Sequence, residues 1–151
     1  MYEHIHPLQR IDFHKCANVW DIEKNPAFTA HFVRELENGN RTTYVYDLDG
    51  AFVGEISLVR DMQDPDYTVA NQRVYLSRLV VKDTYRRRGI GRELVSFACK
   101  TAKDLGYREI SVGVDLDNYG ALRLYAISGF HTILFVGEDS DGQYLKLLKH
   151  L

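Results

Sequence analysis

Seven consecutive residues, Arg86-Arg87-Arg88-Gly89-Ile90-Gly91-Arg92, join four guanidinium groups to two glycines. Guanidinium forks match phosphate oxygens, and glycine lets backbone amides approach a ligand without an intervening Cβ. What flanks the stretch strengthens that chemistry. Residues 73–81 (RVYLSRLVV) are rich in β-branched and aromatic side chains and predict a strand. Beyond it, Leu94, Phe97, Ala98, Thr101, Ala102 and Leu105 recur at three- and four-residue steps up to Gly106. This spacing predicts an amphipathic helix with a C-terminal glycine cap. The free N–H groups of a helix start attract phosphate, so strand, turn and helix together read as a seat for a polyphosphate.

Two common phosphate motifs do not fit. The nucleotide P-loop needs Lys and a hydroxyl after its second glycine, and neither is here. The dinucleotide fingerprint G-x-G-x-x-G begins at Gly89 and Gly91 but meets Leu94 where its third glycine belongs, although Asp115 could mimic its ribose-binding acid. A second constellation follows the strand predicted at 109–114. Asp115, Asn118, Ala121, Leu124, Tyr125, Gly129 and Phe130 spell D-x-x-N-x-x-A-x-x-L-Y-x-x-x-G-F. With R-x-x-G-x-G at Arg86, Gly89 and Gly91, this order resembles the GNAT superfamily of acetyl-coenzyme A-dependent N-acetyltransferases.

The resemblance implies roles at matching positions. The backbone of Leu79, Val80 and Val81 would pair with the pantetheine arm of acetyl-CoA, on a strand splayed from its neighbour. Amides of Arg87, Arg88, Gly89, Ile90, Gly91 and Arg92 would hold the pyrophosphate, with Arg86 opening the motif and Lys82 adding attraction for the 3′-phosphate. Asn118 would contact the cofactor and can also cap the following helix. Tyr125 would be the general acid: a phenol with pKa about 10 is protonated at neutral pH and can donate to a departing thiolate of pKa about 8.5. The base is not supplied by the family pattern. Gly113 stands where ribosomal-protein alanine acetyltransferases carry a glutamate, and Tyr75 aligns with the base position of histone-type members. Glu55 is the remaining candidate, set against a plain solvated strand carboxylate and against proton removal by waters.

The elements that must position these residues read as one domain over 1–151. Short strands are predicted at 2–8, 41–46, 51–60, 73–81, 109–114, 131–136 and 143–148. A helix over 12–20 would take Asp12 as its N-cap. Another would begin at Asn25-Pro26 and end at Asn38-Gly39, and further helices would follow Gly91 and Asn118. Asp49-Gly50 marks a tight hairpin. The pattern predicts an α/β (α+β) architecture with a central mixed, mostly antiparallel sheet flanked by helices, which is also the GNAT order.

At 45% hydrophobic and 26% charged, the chain has an ordinary globular composition, and its net charge of −2 gives no global reason to bind nucleic acid or an anionic membrane. Cys16 and Cys99 suit reduced thiols in a cytoplasmic setting. His4 and His6 would share a strand face, and no histidine spacing suggests a metal site. No G-x-S-x-G motif offers a covalent nucleophile. Asp47, Asp49, Glu55, Asp61, Asp64 and Asp66 crowd one stretch against Arg60 alone, a negative rim that would favour a cationic small amine or a peptide amine as acceptor. The expected activity is thus acetyl transfer from acetyl-CoA to a primary amine, without metal, with a homodimer as a possible assembly. The alternative is an acyl-CoA-binding regulatory module without turnover.

Overall fold

A computed structural model describes residues 2–151. Its strands are β1 (Ile5–Pro7), β2 (Arg41–Leu48), β3 (Ala51–Val59), β4 (Arg73–Val81), β5 (Glu109–Asp115), β6 (Thr132–Asp139) and β7 (Gly142–His150). Its helices are α1 (Pro26–Asn38), α2 (Ile90–Asp104) and α3 (Tyr119–Ile127), with 3₁₀ helices at Arg10–Asn18 and Asp83–Tyr85. The strands are hydrogen-bonded in the order β1-β2-β3-β4-β5-β7-β6. The β4–β5 pair is parallel, whereas β1–β2, β2–β3, β5–β7 and β6–β7 are antiparallel. The sheet is therefore mixed and mostly antiparallel, as the alternation of elements predicts.

Contacts group the described residues into two compact units. One runs to Val59 and includes Arg78–Ala98; the other holds Arg60–Ser77 and Cys99–Leu151. In the first, Phe13, Cys16, Phe32, Val45 and Phe52 form an apolar cluster against which Trp20, Phe28 and Leu36 pack. Helix α1 starts where Asn25 Oδ1 accepts from Phe28 N at 3.1 Å and stops at Gly39, whose φ of 81° is left-handed. The β2–β3 hairpin turns through Asp49 (φ 52°) and Gly50 (φ 96°), the positive-φ pair that matches strand twist. In the second unit, β5 buries Ile110, Val112 and Val114, and β7 buries Leu147 and Leu148. Each such side chain contributes about 1.5–3 kcal/mol by leaving water. The parallel β4–β5 register pairs Arg73 with Glu109, Val74 with Ile110 and Tyr75 with Ser111, and it ends there.

Local expectations fail where side chains do not follow periodicity. Asp12 does not cap a helix: the N-cap is Gln9, and Asp12 lies inside a 3₁₀ helix held by bonds such as Asp12 N to Gln9 O. Leu105 is 63% exposed, because α2 ends at Asp104 and Gly106 turns left-handed, so the stripe does not reach it. His4 falls outside β1, and His6 Nε2 instead meets Asp47 Oδ2 at 2.9 Å. Among the described residues no helix is long and apolar enough to cross a membrane.

Candidate active site

The turn at 86–92 lies in the first unit. Residues 86–89 are exposed, and α2 begins at Ile90. Arg87 (φ 63°) and Gly89 (φ 82°) both adopt left-handed backbone. Residues alternating into that region turn successive amides toward one concave side, an anion-binding nest. The first helical bond here runs from Glu93 N to Gly89 O at 3.0 Å, so the N–H groups of Ile90, Gly91 and Arg92 precede any intrahelical acceptor. A Cβ built on Gly89 meets nothing within 4 Å. Glycine is therefore required by its φ and leaves open space in front of the amides. Arg86 pairs with Asp83 at 3.0 Å on an exposed surface, which leaves little binding energy locked away. Lys82 Nζ donates to Asn18 Oδ1 at 2.5 Å, and Lys82 N to Val53 O at 2.8 Å.

Residues Leu79, Val80 and Val81 form the end of β4, each partly exposed. Just before them Arg78 takes φ 57° in the middle of the strand. A non-glycine residue there costs about 1–2 kcal/mol, so surrounding contacts must hold it. Those contacts are aromatic: the Arg78 guanidinium sits 4.5 Å from the Trp20 ring centroid and 4.8 Å from that of Phe28.

Glu55 is not a solvated carboxylate. It is fully buried on β3, opposite Val45, and its Oε1 accepts from Trp20 Nε1 at 2.6 Å. Burial pushes its carboxyl up from 4.5 to about 7, against the pull of Arg78, of the Trp20 bond, of Arg41 and of the Cys16 thiol. That value suits a base, but the enclosure keeps an incoming amine away. Glu55 Oε2 and Arg78 Nε are both buried without a hydrogen-bond partner among the described residues. The Cys16 thiol, buried beside Glu55, is pushed up to about 12 and stays protonated.

Asn118 and Tyr125 lie in the second unit. Asn118 caps α3, its Oδ1 accepting from Ala121 N at 3.2 Å. Tyr125, in the last turns of α3, is 5% exposed and packs edge-on to Phe130 at 5.5 Å. Burial, then the neighbouring Tyr75, push its phenol above the usual tyrosine range. Such a phenol is a more reluctant acid than in water, so it helps only where negative charge develops against its hydroxyl.

The same unit explains the missing base at Gly113. The Tyr67 hydroxyl lies 2.5 Å from where a Cβ on Gly113 would stand, so any side chain there collides with it. Tyr67 is fixed by Tyr75 at 4.5 Å between ring centroids, by Lys146 at 4.9 Å over its ring, and by Ser111 Oγ donating to its carbonyl at 2.6 Å. Lys146 Nζ also donates to Asp64 Oδ2 at 2.8 Å and Asp66 Oδ2 at 3.1 Å. The acidic rim must be corrected accordingly. Glu55 is buried, Asp47 is engaged by His6, and Asp64 and Asp66 are countered by a lysine from β7, far along the chain. Trp20, Arg78, Tyr67 and Lys146 escaped the motif reading. The available signal was a charge in the interior of each apolar strand run, Glu55 in AFVGEISLV and Arg78 in RVYLSRLVV.

Comparison with known proteins adds independent findings. A family model described as Acetyltransferase (GNAT) family matches residues 3–130. The N-alpha-acetyltransferase MAK3 of Arabidopsis thaliana is 43% identical over 58 residues, 38% of this chain and 30% of that protein. The chain spans between 20% and 48% of the length of the curated relatives it matches. Among solved structures, an aminoglycoside 6′-acetyltransferase type Ii superposes with a TM-score of 0.76 at 22% identity, covering 97% of this chain and 96% of that one. An aminoglycoside 6′-N-acetyltransferase complexed with coenzyme A gives 0.74 at 18% identity, again over 97% and 96%.

Proposed function

The chain belongs to the acetyltransferase (GNAT) family, and from that premise we propose that it transfers an acetyl group from acetyl-CoA to a primary amine, with residues 1–151 acting as one domain. The observation that carries this reading is the turn at 86–92. A left-handed Arg87 and Gly89, free amides at the start of α2 and four arginines make a donor set that fits a pyrophosphate. The β4 backbone at Leu79, Val80 and Val81 would hold the pantetheine arm, and Asn118 would stand beside the cofactor while capping α3. When bound, acetyl-CoA supplies an activated acetyl thioester.

The protein's own groups do the rest. Tyr125, shielded from water, offers its hydroxyl to the departing sulfur, and partial donation suffices because a charged acceptor shortens and strengthens the bond. Glu55 has the pKa of a base but no access, so we assign removal of the amine proton to water. The acceptor we propose is a small cationic amine or a peptide amine. Supporting this is an open groove lined by residues 17–23, which carries Asp21 and Glu23 and no basic side chain. A cytoplasmic setting suits the two unpaired, buried cysteines. A homodimer would find its surface on the edge strand β6, where Ile133, Phe135 and Val136 are exposed; sedimentation at graded concentrations tests it.

The decisive experiment follows free thiol with acetyl-CoA and a panel of amines, for wild type and Tyr125→Phe. Turnover should fall about a hundredfold to a thousandfold, within the range expected for loss of one general acid, while coenzyme affinity stays within about twofold. Coenzyme binding without thiol release from any amine would turn the reading to the regulatory module. Equal turnover in both proteins, with chemistry rate-limiting, would return Tyr125 to packing.

A further inference from the structure

Buried Glu55 and half-buried Arg78 are not used by the chemistry above, yet they lie at the root of the proposed cofactor strand. Resting on that assignment of β4, we propose that Glu55 is a positioning residue: by orienting Trp20 and attracting Arg78 it holds the left-handed bend of β4 that presents Leu79, Val80 and Val81 to coenzyme A.

The chain of contacts is short. Glu55 Oε1 fixes the indole by its 2.6 Å bond from Trp20 Nε1. The indole is also wedged among Phe13, Phe28 and Phe32, at 6.3, 5.8 and 5.6 Å between centroids. The Arg78 guanidinium then packs on the corner that the edge-on rings of Trp20 and Phe28 form, within reach of both. Its stem is tied to a backbone that no β-strand residue adopts spontaneously, φ 57°. Arg41 is committed to Glu35 at 3.1 Å, and Glu35 also meets His31 at 3.3 Å. Glu55 is thus the carboxylate whose field Arg78 feels, opposed by Arg41. The two unsatisfied buried atoms, Glu55 Oε2 and Arg78 Nε, belong to this one cluster. A folded core keeps such groups at a cost, and at a functional strand the cost is repaid in geometry.

The test is a double-mutant cycle read by calorimetric binding of coenzyme A, with melting temperature and the acceptor KM measured alongside. Glu55→Gln keeps an acceptor for the indole but removes the charge. It should weaken coenzyme A binding about tenfold, within the range of couplings between contacting residues, with no fall in Tm at pH 8. Arg78→Gly lets the backbone hold φ 57° unaided, so adding Glu55→Gln to it should produce no further loss. Unchanged affinity in Glu55→Gln, or an equal loss in both backgrounds, overturns the proposal. If circular dichroism shows Glu55→Gln unfolded, Trp20→Phe decides: a few-fold weaker coenzyme binding sustains the proposal, and wild-type affinity overturns it. Wild type that fails to bind coenzyme A sinks the acetyltransferase reading itself, whereas a binding wild type matched by Glu55→Gln sinks only this inference.

Discussion

The arginines at 86–92 and the pair Glu55–Arg78 belong to the same unit but handle charge in opposite ways. The turn keeps its charges mostly in water, where each desolvates little and where any attraction for an anion is long-range and weakened by salt. The pair withdraws its charges from water, Glu55 wholly and Arg78 in part, so that they shift in pKa, lean on aromatic side chains, and leave two polar atoms unsatisfied. Surface charges can therefore be exchanged with modest loss, while the geometry of the turn cannot. In the core each charge depends on every neighbour.

The largest expected effect breaks the first region. Gly89→Glu should abolish acetyl-CoA binding, with a loss of at least about a hundredfold. Its side chain must accept φ 82°, costing about 1–2 kcal/mol, and it sets a carboxylate where phosphate would sit. Calorimetry checks this, and undiminished affinity would remove the phosphate seat.

The second prediction addresses buried Glu55 through pH. Glu55 rises from 4.5 to about 7 on folding, so between those values the folded chain holds a proton the unfolded chain has lost. Its contribution to stability is complete below pH 4.5 and lost as pH climbs through about 7, a swing of roughly 3 kcal/mol. Urea unfolding from pH 4.5 to 8 should show wild type losing stability relative to Glu55→Gln over that window, then running parallel. A constant difference would mean that the carboxyl is not desolvated.

Between these extremes stands the Tyr67 loop, part buried and part wet. Gly113→Ala should destabilise by about 1–3 kcal/mol, the usual cost of overpacking. Tyr67→Phe should recover part of it, since the hydroxyl lies 2.5 Å and the ring carbon 3.3 Å from the new Cβ. Additive losses in a thermal-melt cycle would refute that contact.

The smallest effect sharpens the comparison for acidic charge. Lys146→Met keeps the apolar stem but frees Asp64 and Asp66. It should lose about 1 kcal/mol of stability and gain about two- to threefold in kcat/KM for a cationic over a neutral acceptor at low salt, a difference screened above roughly 0.1 M. An unchanged ratio would detach these carboxylates from the acceptor.

Much of the fold was legible because its signals are local. Asn25-Pro26 and Gly39 bracket α1, Asp49-Gly50 turns the hairpin, and RVYLSRLVV coincides with β4 from end to end. Each depends on a cap, a positive φ or β propensity within a few residues. The turn at 86–92 and the helix start after it were legible for the same reason, since the glycines and the apolar stripe are contiguous. Asn118 was found as cap and motif residue together.

Tertiary packing decided the environments of charge. Nothing near Glu55 in sequence shows that Trp20, 35 positions away, donates to it, or that Arg78 packs against both Trp20 and Phe28. Nothing near Asp64 points to Lys146, 82 positions on, so counting neighbouring charges overstated the rim. Gly113 reads in sequence as an absent base, and only the fold shows Tyr67 filling its place. Order along the chain fixes hydrogen bonds made within a turn or cap. Desolvation and Coulomb energy depend on distance in space, and those distances exist only once the strands have paired and the core has closed.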